Sequence, residues 1–184
     1  RLVQLNHPDA VVEGLTIRGA GGGIEVFGAG VMIGKSGGTL RGCRVTGNST
    51  AMNAAGSGIY LESSAGHVTR CVVDNNQNGN SNPSGASGIY MTAGAVDNCI
   101  VVSNGTFRLV NTVSLPNITF LEVGPNGVFR LQDSASAGNS ETLVNIAAGG
   151  RLYLSSSASL TVKKLVYGDG SVLGGLRPRS PAGS

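Results

Sequence analysis

Tryptophan is absent from this chain of 184 residues, aromatics make up 4 % and charged residues 12 %. An interior built on large rings is therefore excluded, and any core must be thin and aliphatic. No apolar run approaches the ~18 residues of a membrane-crossing helix, so this segment is not expected to insert into a membrane. Lys and Arg number 13 against 10 Asp and Glu, and Lys163-Lys164 is the only adjacent basic pair. That spread lacks the basic stripe with interleaved aromatics of a nucleic-acid binder. Helical periodicity is missing too: no stretch of useful length carries an apolar stripe at 3.6-residue spacing. What abounds is glycine, 30 residues of it, as a chain with many tight corners requires. The length suits one domain-sized unit with a real core.

The corners recur at a fixed step. Cys43, Cys71 and Cys99 keep a 28-residue step, and Leu15 continues it backwards from the first. Val12, Leu40, Val68 and Val96 keep the same step, as do Ile17, Val45, Val73 and Val101. Ala10, Gly38, Gly66 and Gly94 precede them, and Asn48, Asn76 and Asn104 close each unit. A constant period of this size marks a repeat architecture, each repeat being one unit of a continuous stack.

Within a repeat, apolar residues alternate with polar ones, the pattern of short strands. Leu40 and Cys43 are three apart, so the chain must bend near Gly42 for both to face inward; Gly14, Arg70 and Asn98 are the equivalent corners. Further strands start at Gly30-Val31-Met32-Ile33, Gly58-Ile59-Tyr60-Leu61 and Gly88-Ile89-Tyr90-Met91. Three short strands per repeat, running in the same directions each time, predict an all-β fold: a single-stranded parallel β-helix (β-solenoid) whose strands pair with their equivalents one repeat away, at roughly 4.8 Å. Between Asn76 and Gly88 two residues enter a loop and leave the next segment, so the step is restored.

The last third shortens the step. Gly127-Val128-Phe129-Arg130-Leu131 matches Gly150-Arg151-Leu152-Tyr153-Leu154 at a 23-residue step, and a partial copy follows at Gly170-Ser171-Val172-Leu173. The expected division is 1–106 in 28-residue coils, 107–175 in shorter coils of that 23-residue kind with 107–126 as the change of cross-section, and an irregular tail over 176–184.

Two ladders have structural and chemical readings. Three cysteines on stacked parallel strands sit about one strand spacing apart, beyond the ~3.8 Å between Cβ atoms that a disulfide prefers, so Cys43, Cys71 and Cys99, with Leu15, are expected to form an inward column of inert thiols. Asn48, Asn76 and Asn104 either stack their amides along a turn, where Asn tolerates a left-handed backbone, or act as glycosylation sites, since Asn48-Ser49-Thr50 and Asn104-Gly105-Thr106 match that sequon. No metal-ligand or Ser/His/Asp spacing is apparent, and no cofactor is expected. His67 falls in the column of Thr39 and Ala95.

The candidate binding residues lie on the outer face. Ile59 and Leu61 point inward, so Tyr60 points out beside Met32 and Tyr90, and Arg130 and Tyr153 are outward neighbours in the shorter coils. Exposed stacked rings can platform a sugar or cover a partner surface; they can equally serve only to hold parallel strands together.

The pairing of Gly-Ser-Gly-Ile-Tyr (56–60) and Gly-Ala-Ser-Gly-Ile-Tyr (85–90) with Val-Thr-Gly-Asn (45–48), Val-Asp-Asn-Asn (73–76) and Val-Val-Ser-Asn (101–104) resembles the right-handed parallel β-helix repeats of the pectate-lyase-like superfamily. It is most similar to the Gly-Gly-Ala-Ile and Phe-x-x-Asn repeats of polymorphic outer-membrane proteins, with Val here in place of Phe. Residues 120–174 resemble the Gly-rich strand repeats of autotransporter passengers. The resemblance implies a bacterial-type extracellular or cell-surface scaffold or adhesin, contacting a glycan or protein at its outer face. It also implies a second reading, a polysaccharide lyase or hydrolase. Such enzymes cluster carboxylates on one face. Here the repeat disperses them: Glu13, Arg41, Thr69 and Asp97 share one outward column, and Asp74 joins Thr46 and Val102 in another. The expectation therefore leans to a non-catalytic chain, with any active residues partly outside it. Because Arg1 is not preceded by Met or a leader, either a leader was removed or the chain is part of a longer protein; because the end coils present open strand edges, at least one end is expected to be covered by another copy of the chain or by a missing part of a longer protein.

Overall fold

The computed structural model describes all residues except 22, 24, 25, 52–54, 79–85, 112, 116–119, 126, 156 and 175–184. The expected tail over 176–184 and most of the loop insertion after Asn76 lie outside the described residues. Among those described there are short strands and no helix, and every strand pairing is parallel. The protein is thus all-β, built from several parallel sheets.

Each 28-residue repeat gives one strand to each of three sheets. The second sheet takes Val11–Glu13, Gly38–Arg41, Gly66–Thr69 and Ala95–Asp97. Next comes the third, with Thr16–Arg18, Arg44–Thr46, Val72–Asp74 and Ile100–Val102. The first and longest runs the length of the chain in eight strands: Val3–Leu5, Val31–Ile33, Ile59–Leu61, Ile89–Met91, Thr106–Leu109, Val128–Leu131, Arg151–Leu154 and Val172–Gly174. Two further sheets serve the shorter repeats, Ser114–Leu115 with Ser136–Ala137 and Ser159–Leu160, and Phe120–Val123 with Leu143–Ile146 and Lys164–Tyr167.

The bends between second and third sheets fall at Gly14, Gly42, Arg70 and Asn98, with φ of 72°, 58°, 55° and 49°. A left-handed residue there turns Leu40 and Cys43 to the same side, and both are buried. A second left-handed column, Gly19, Gly47, Asn75 and Ser103, immediately precedes Asn48, Asn76 and Asn104 in the later repeats. The left-handed backbone expected of the ladder asparagines therefore belongs to the residue before each, which turns the chain so that the amide faces in.

Aliphatic columns fill the interior. Ile33, Leu61, Met91, Leu109 and Leu131 follow one another along the long sheet, each with no exposed surface. Cys43 and Cys71 extend this packing, at 2 % and 1 % exposure. Leu15 departs from expectation. It is in register, accepting a 2.9 Å hydrogen bond from Arg44 N at its carbonyl, yet it is 54 % exposed. It immediately precedes Thr16–Arg18, the edge strand of the third sheet, so a neighbouring repeat covers it from one side only. Cys99, beside the other edge strand, is partly exposed as well.

The shorter step enters the long sheet at its fifth strand. Thr106–Leu109 is already a strand of the long sheet, with Thr106 beside Val128 and Leu109 beside Leu131. In the earlier repeats Asn48 stands 10 residues before Gly58 and Asn76 stands 12 before Gly88. After Asn104 the chain turns at Gly105, φ 80°, and enters that sheet at once.

Candidate functional site

Each strand of the long sheet gives one residue to a single column on its outer face. In register these are Gln4, Met32, Tyr60, Tyr90, Arg108, Arg130, Tyr153 and Gly174. All five candidate binding residues, Met32, Tyr60, Tyr90, Arg130 and Tyr153, fall in this single column. The residue that joins the two groups is Arg108, which the 28-residue pattern does not single out. A signal for it exists: Thr106-Phe107-Arg108-Leu109 repeats as Val128-Phe129-Arg130-Leu131, within the stretch expected to be a change of cross-section.

Side chains along the column touch. The Tyr60 and Tyr90 rings stack at 5.5 Å between centroids with planes 6° apart, and Phe27 tilts against Tyr60 at 5.0 Å. Arg108 lies over Tyr90 at 5.4 Å, and Arg130 over Tyr153 at 5.0 Å. A Cβ at Gly174 would collide with the Tyr153 ring, so that ring lies flat against the next strand. Burial raises the Tyr60 pKa, helped by the Glu62 carboxylate and by Tyr90. Burial lowers the Arg108 pKa, and the adjacent Arg130 charge acts in the same direction while Tyr90 and Asp133 oppose it.

A second cluster lies on the second sheet. Asp97 accepts hydrogen bonds from Thr69 Oγ1 and, at 3.0 Å, from Asn98 Nδ2, and it contacts His67 Nε2. Sequence spacing conceals this group because Asp97 pairs with Thr69 directly and with His67 diagonally. Burial works to raise the Asp97 pKa, but the hydrogen bonds from Thr69 and His67 outweigh it and the pKa falls below its ordinary value. His67 and Thr69 both address the carboxylate and not each other. The group therefore lacks the nucleophile-to-base contact of acyl-transfer chemistry, and it reads as an outer-face polar staple.

Two further sheet carboxylates, Glu13 and Asp74, are held by cations. Arg41 grips Glu13 with bonds of 2.7 and 2.6 Å. Arg44 does the same to Asp74 at 3.2 and 2.6 Å. Asp74 and Asp97 belong to different sheets. Among the described residues no three His, Cys, Asp or Glu side chains gather to hold a metal ion. A cavity of about 40 Å³ beside Phe107, Phe129, Leu121 and Val123 lies where the step shortens; its lining carries no titratable group.

The asparagine ladder is internal. Asn48 and Asn104 are 0 % and 6 % exposed, and the Asn48 amide donates to Ile17 O at 3.1 Å and Asn76 Oδ1 at 2.9 Å. An amide nitrogen so committed is no acceptor for a glycan, which removes the sequon reading in this fold. The ladder also explains the glycine that opens each Gly-Ile-Tyr strand: a Cβ at Gly58 would stand 2.6 Å from Gly88 O and 2.9 Å from Asn76 Nδ2. The thiols are free. Burial raises Cys43, while the hydrogen bond within the Cys71–Cys99 pair raises Cys99 and lowers Cys71 to about 7.

No protein-family model, curated protein or solved structure matches this chain.

Proposed function

We propose that the chain winds as a right-handed parallel β-helix and serves as a non-catalytic scaffold of an extracellular or cell-surface protein, contacting a glycan or protein through the outer column of its long sheet. The parallel pairing of successive repeats supports the winding. The handedness and the surface location rest on the resemblance to polymorphic outer-membrane and autotransporter repeats. One observation carries the binding reading: Met32, Tyr60, Tyr90, Arg130 and Tyr153 share a single register column with Arg108. Rings at successive strand spacings offer a flat, amphipathic strip at low entropic cost, the kind of surface that stacks on sugar faces or anchors an interface. Among the described residues, the sheet carboxylates Glu13, Asp74 and Asp97 are each engaged by a cation or a local donor, which does not favour cleavage by these three.

A glycan array and a protein pull-down with the wild-type chain, repeated with Tyr60→Ala/Tyr90→Ala, test this. The double variant is expected to lose binding while keeping the fold. Stacked aromatic pairs contribute about 1 kcal/mol beyond their buried area, so a modest fall in stability accompanies it. Unchanged binding, or release of reducing ends from a polysaccharide by the wild type, overturns the reading.

A further inference from the structure

Three thiols on a 28-residue step stay free, and the outer column makes no use of them. They are not equivalent. Cys43 and Cys71 are buried, at 2 % and 1 % exposure. Cys99 closes the ladder: it immediately precedes Ile100–Val102, the edge strand of the third sheet, and it is partly exposed. The Cys71 and Cys99 side chains are hydrogen-bonded to each other, and the Cys71 backbone N–H also donates to Cys99 Sγ at 3.4 Å. The ladder thus ends in a pair of sulfurs in contact, one member of which solvent can reach.

Backbone oxygens surround this pair. Thr69 O and Leu40 O lie 3.2 and 3.6 Å from Cys71 Sγ, and Asp97 O and Val68 O lie 3.0 and 3.6 Å from Cys99 Sγ. A bare thiolate facing the negative ends of four carbonyl dipoles is disfavoured, whereas a cation between the sulfurs is attracted by sulfur and oxygen alike. A zinc–thiolate bond is ~2.3 Å long, so sulfurs up to ~4.6 Å apart can share an ion of that size, and two thiols in hydrogen-bond contact lie within that reach. Zinc itself wants four ligands in a structural site, and among the described residues no third His, Cys, Asp or Glu joins the pair. Thiolate selects soft ions, Cu(I) among them, and such an ion is satisfied by two sulfurs in line. We infer that Cys71 and Cys99 form a two-sulfur site for a soft monovalent cation, Cu(I) or its redox-stable analogue Ag(I), at the open end of the ladder. Binding involves no redox step: two S–H bonds break, two metal–sulfur bonds form, and both protons pass to solvent. The ion enters past Cys99. Cys43, one repeat further in, takes no part.

Calorimetric titration of the whole chain with silver nitrate in chloride-free solution tests the site, run in two buffers of different ionisation enthalpy so that released protons are counted. One ion per chain is expected, with about two protons released for it, and X-ray absorption should show two silver–sulfur bonds. Cys43→Ser should bind silver as the wild type does. Cys71→Ser and Cys99→Ser should each weaken binding by more than ~100-fold, the upper loss for a residue that merely supports a metal ligand. Cys99→Ala repeats the test at the partly exposed member, where a change is best tolerated, and melting curves without silver confirm that each variant folds. Zinc sulfate should bind far more weakly than silver, because two sulfurs alone leave that ion unsatisfied. Three ions per chain, a single silver–sulfur bond, or silver-linked dimers in light scattering would mean capture by separate thiols and overturn the inference. So would a loss in Cys43→Ser equal to that in Cys99→Ser, undiminished binding by both Cys99 variants, or zinc bound as tightly as silver.

Discussion

Asn76 donates from Nδ2 to Oδ1 of Asn104 at 2.8 Å, and the same Oδ1 accepts the Asn76 backbone N–H at 3.0 Å. Asn48 stands in the same relation to Asn76, at 2.9 and 3.1 Å. Each amide thus satisfies a backbone donor of the repeat before it and, through Nδ2, a carbonyl such as Val45 O at 2.9 Å. All of this occurs at 1 % exposure for Asn76, where unmade bonds are costly. Asn76→Ala should therefore destabilise by about 3 kcal/mol, since each orphaned buried group costs about 1–3 kcal/mol. Asn76→Asp should be worse at neutral pH and partly recover in acid, because its carboxylate would face carbonyl oxygens until protonated. Urea unfolding at pH 7 and pH 4 measures both; a loss below about 1 kcal/mol for the alanine variant would show that water replaces the ladder.

The corner column offers a test in the opposite direction. Arg70 adopts φ 55° where Gly14 and Gly42 occupy the equivalent positions at 72° and 58°. A left-handed conformation costs an ordinary residue roughly 1–2 kcal/mol, whereas Gly loses about 0.5–1 kcal/mol in chain entropy. Arg70→Gly should consequently stabilise by about 0.5 kcal/mol, and Gly42→Ala should destabilise by about 1 kcal/mol. No Cβ contact interferes at Gly42, so chemical denaturation of the pair isolates the backbone term. A destabilised Arg70→Gly would mean that the arginine side chain contributes more than its strained backbone costs.

The parallel sheets, inward columns and outward ring column are legible because period-two alternation and a 28-residue step act on the same residues. Where the signal is local and repeated, as in Leu40, Gly42 and Cys43, even the bend can be read. Leu15 misleads because column membership sets direction but not cover, and it adjoins a strand at a sheet edge. Arg108 escapes the pattern because it pairs with Tyr90 across a step shorter than any other in the long sheet. The contact of His67 with Asp97 is diagonal across two strands, and a one-dimensional register does not display diagonals.

Acid should weaken the fold through Asp74. Its bonds from Arg44, with further help from Thr46 and Asn75, hold its pKa below the ordinary carboxylate value against the opposing effect of burial. A carboxylate depressed in the folded state stabilises above its unfolded pKa of about 3.9, and that contribution is lost as pH falls through the folded value. Wild type should thus exceed Asp74→Asn in urea midpoint at pH 7, and the gap should close towards pH 2. A gap of the same size at both ends would assign the difference to packing or hydrogen-bond geometry and not to ionisation.

Thiol labelling separates ionisation from burial in the cysteine ladder. The pair hydrogen bond lowers Cys71 to about 7, which by thiolate content alone would make it the faster nucleophile. Yet Cys71 is 1 % exposed, its sulfur 3.2 Å from Thr69 O and 3.6 Å from Leu40 O, while Cys99 is partly exposed. A reagent must reach sulfur before it can react, and burial in an aliphatic interior disfavours the free thiolate. Native protein should therefore label slowly and first at Cys99, with Cys43 and Cys71 reacting only after opening or in denaturant. The same two carbonyls would receive a hydroxyl, so Cys71→Ser should cost about 1 kcal/mol, the low end for a buried polar group that finds a partner. Mass spectrometry of the labelled peptides decides the order: Cys71 modified ahead of Cys99 would mean that the ladder opens to solvent on the labelling timescale.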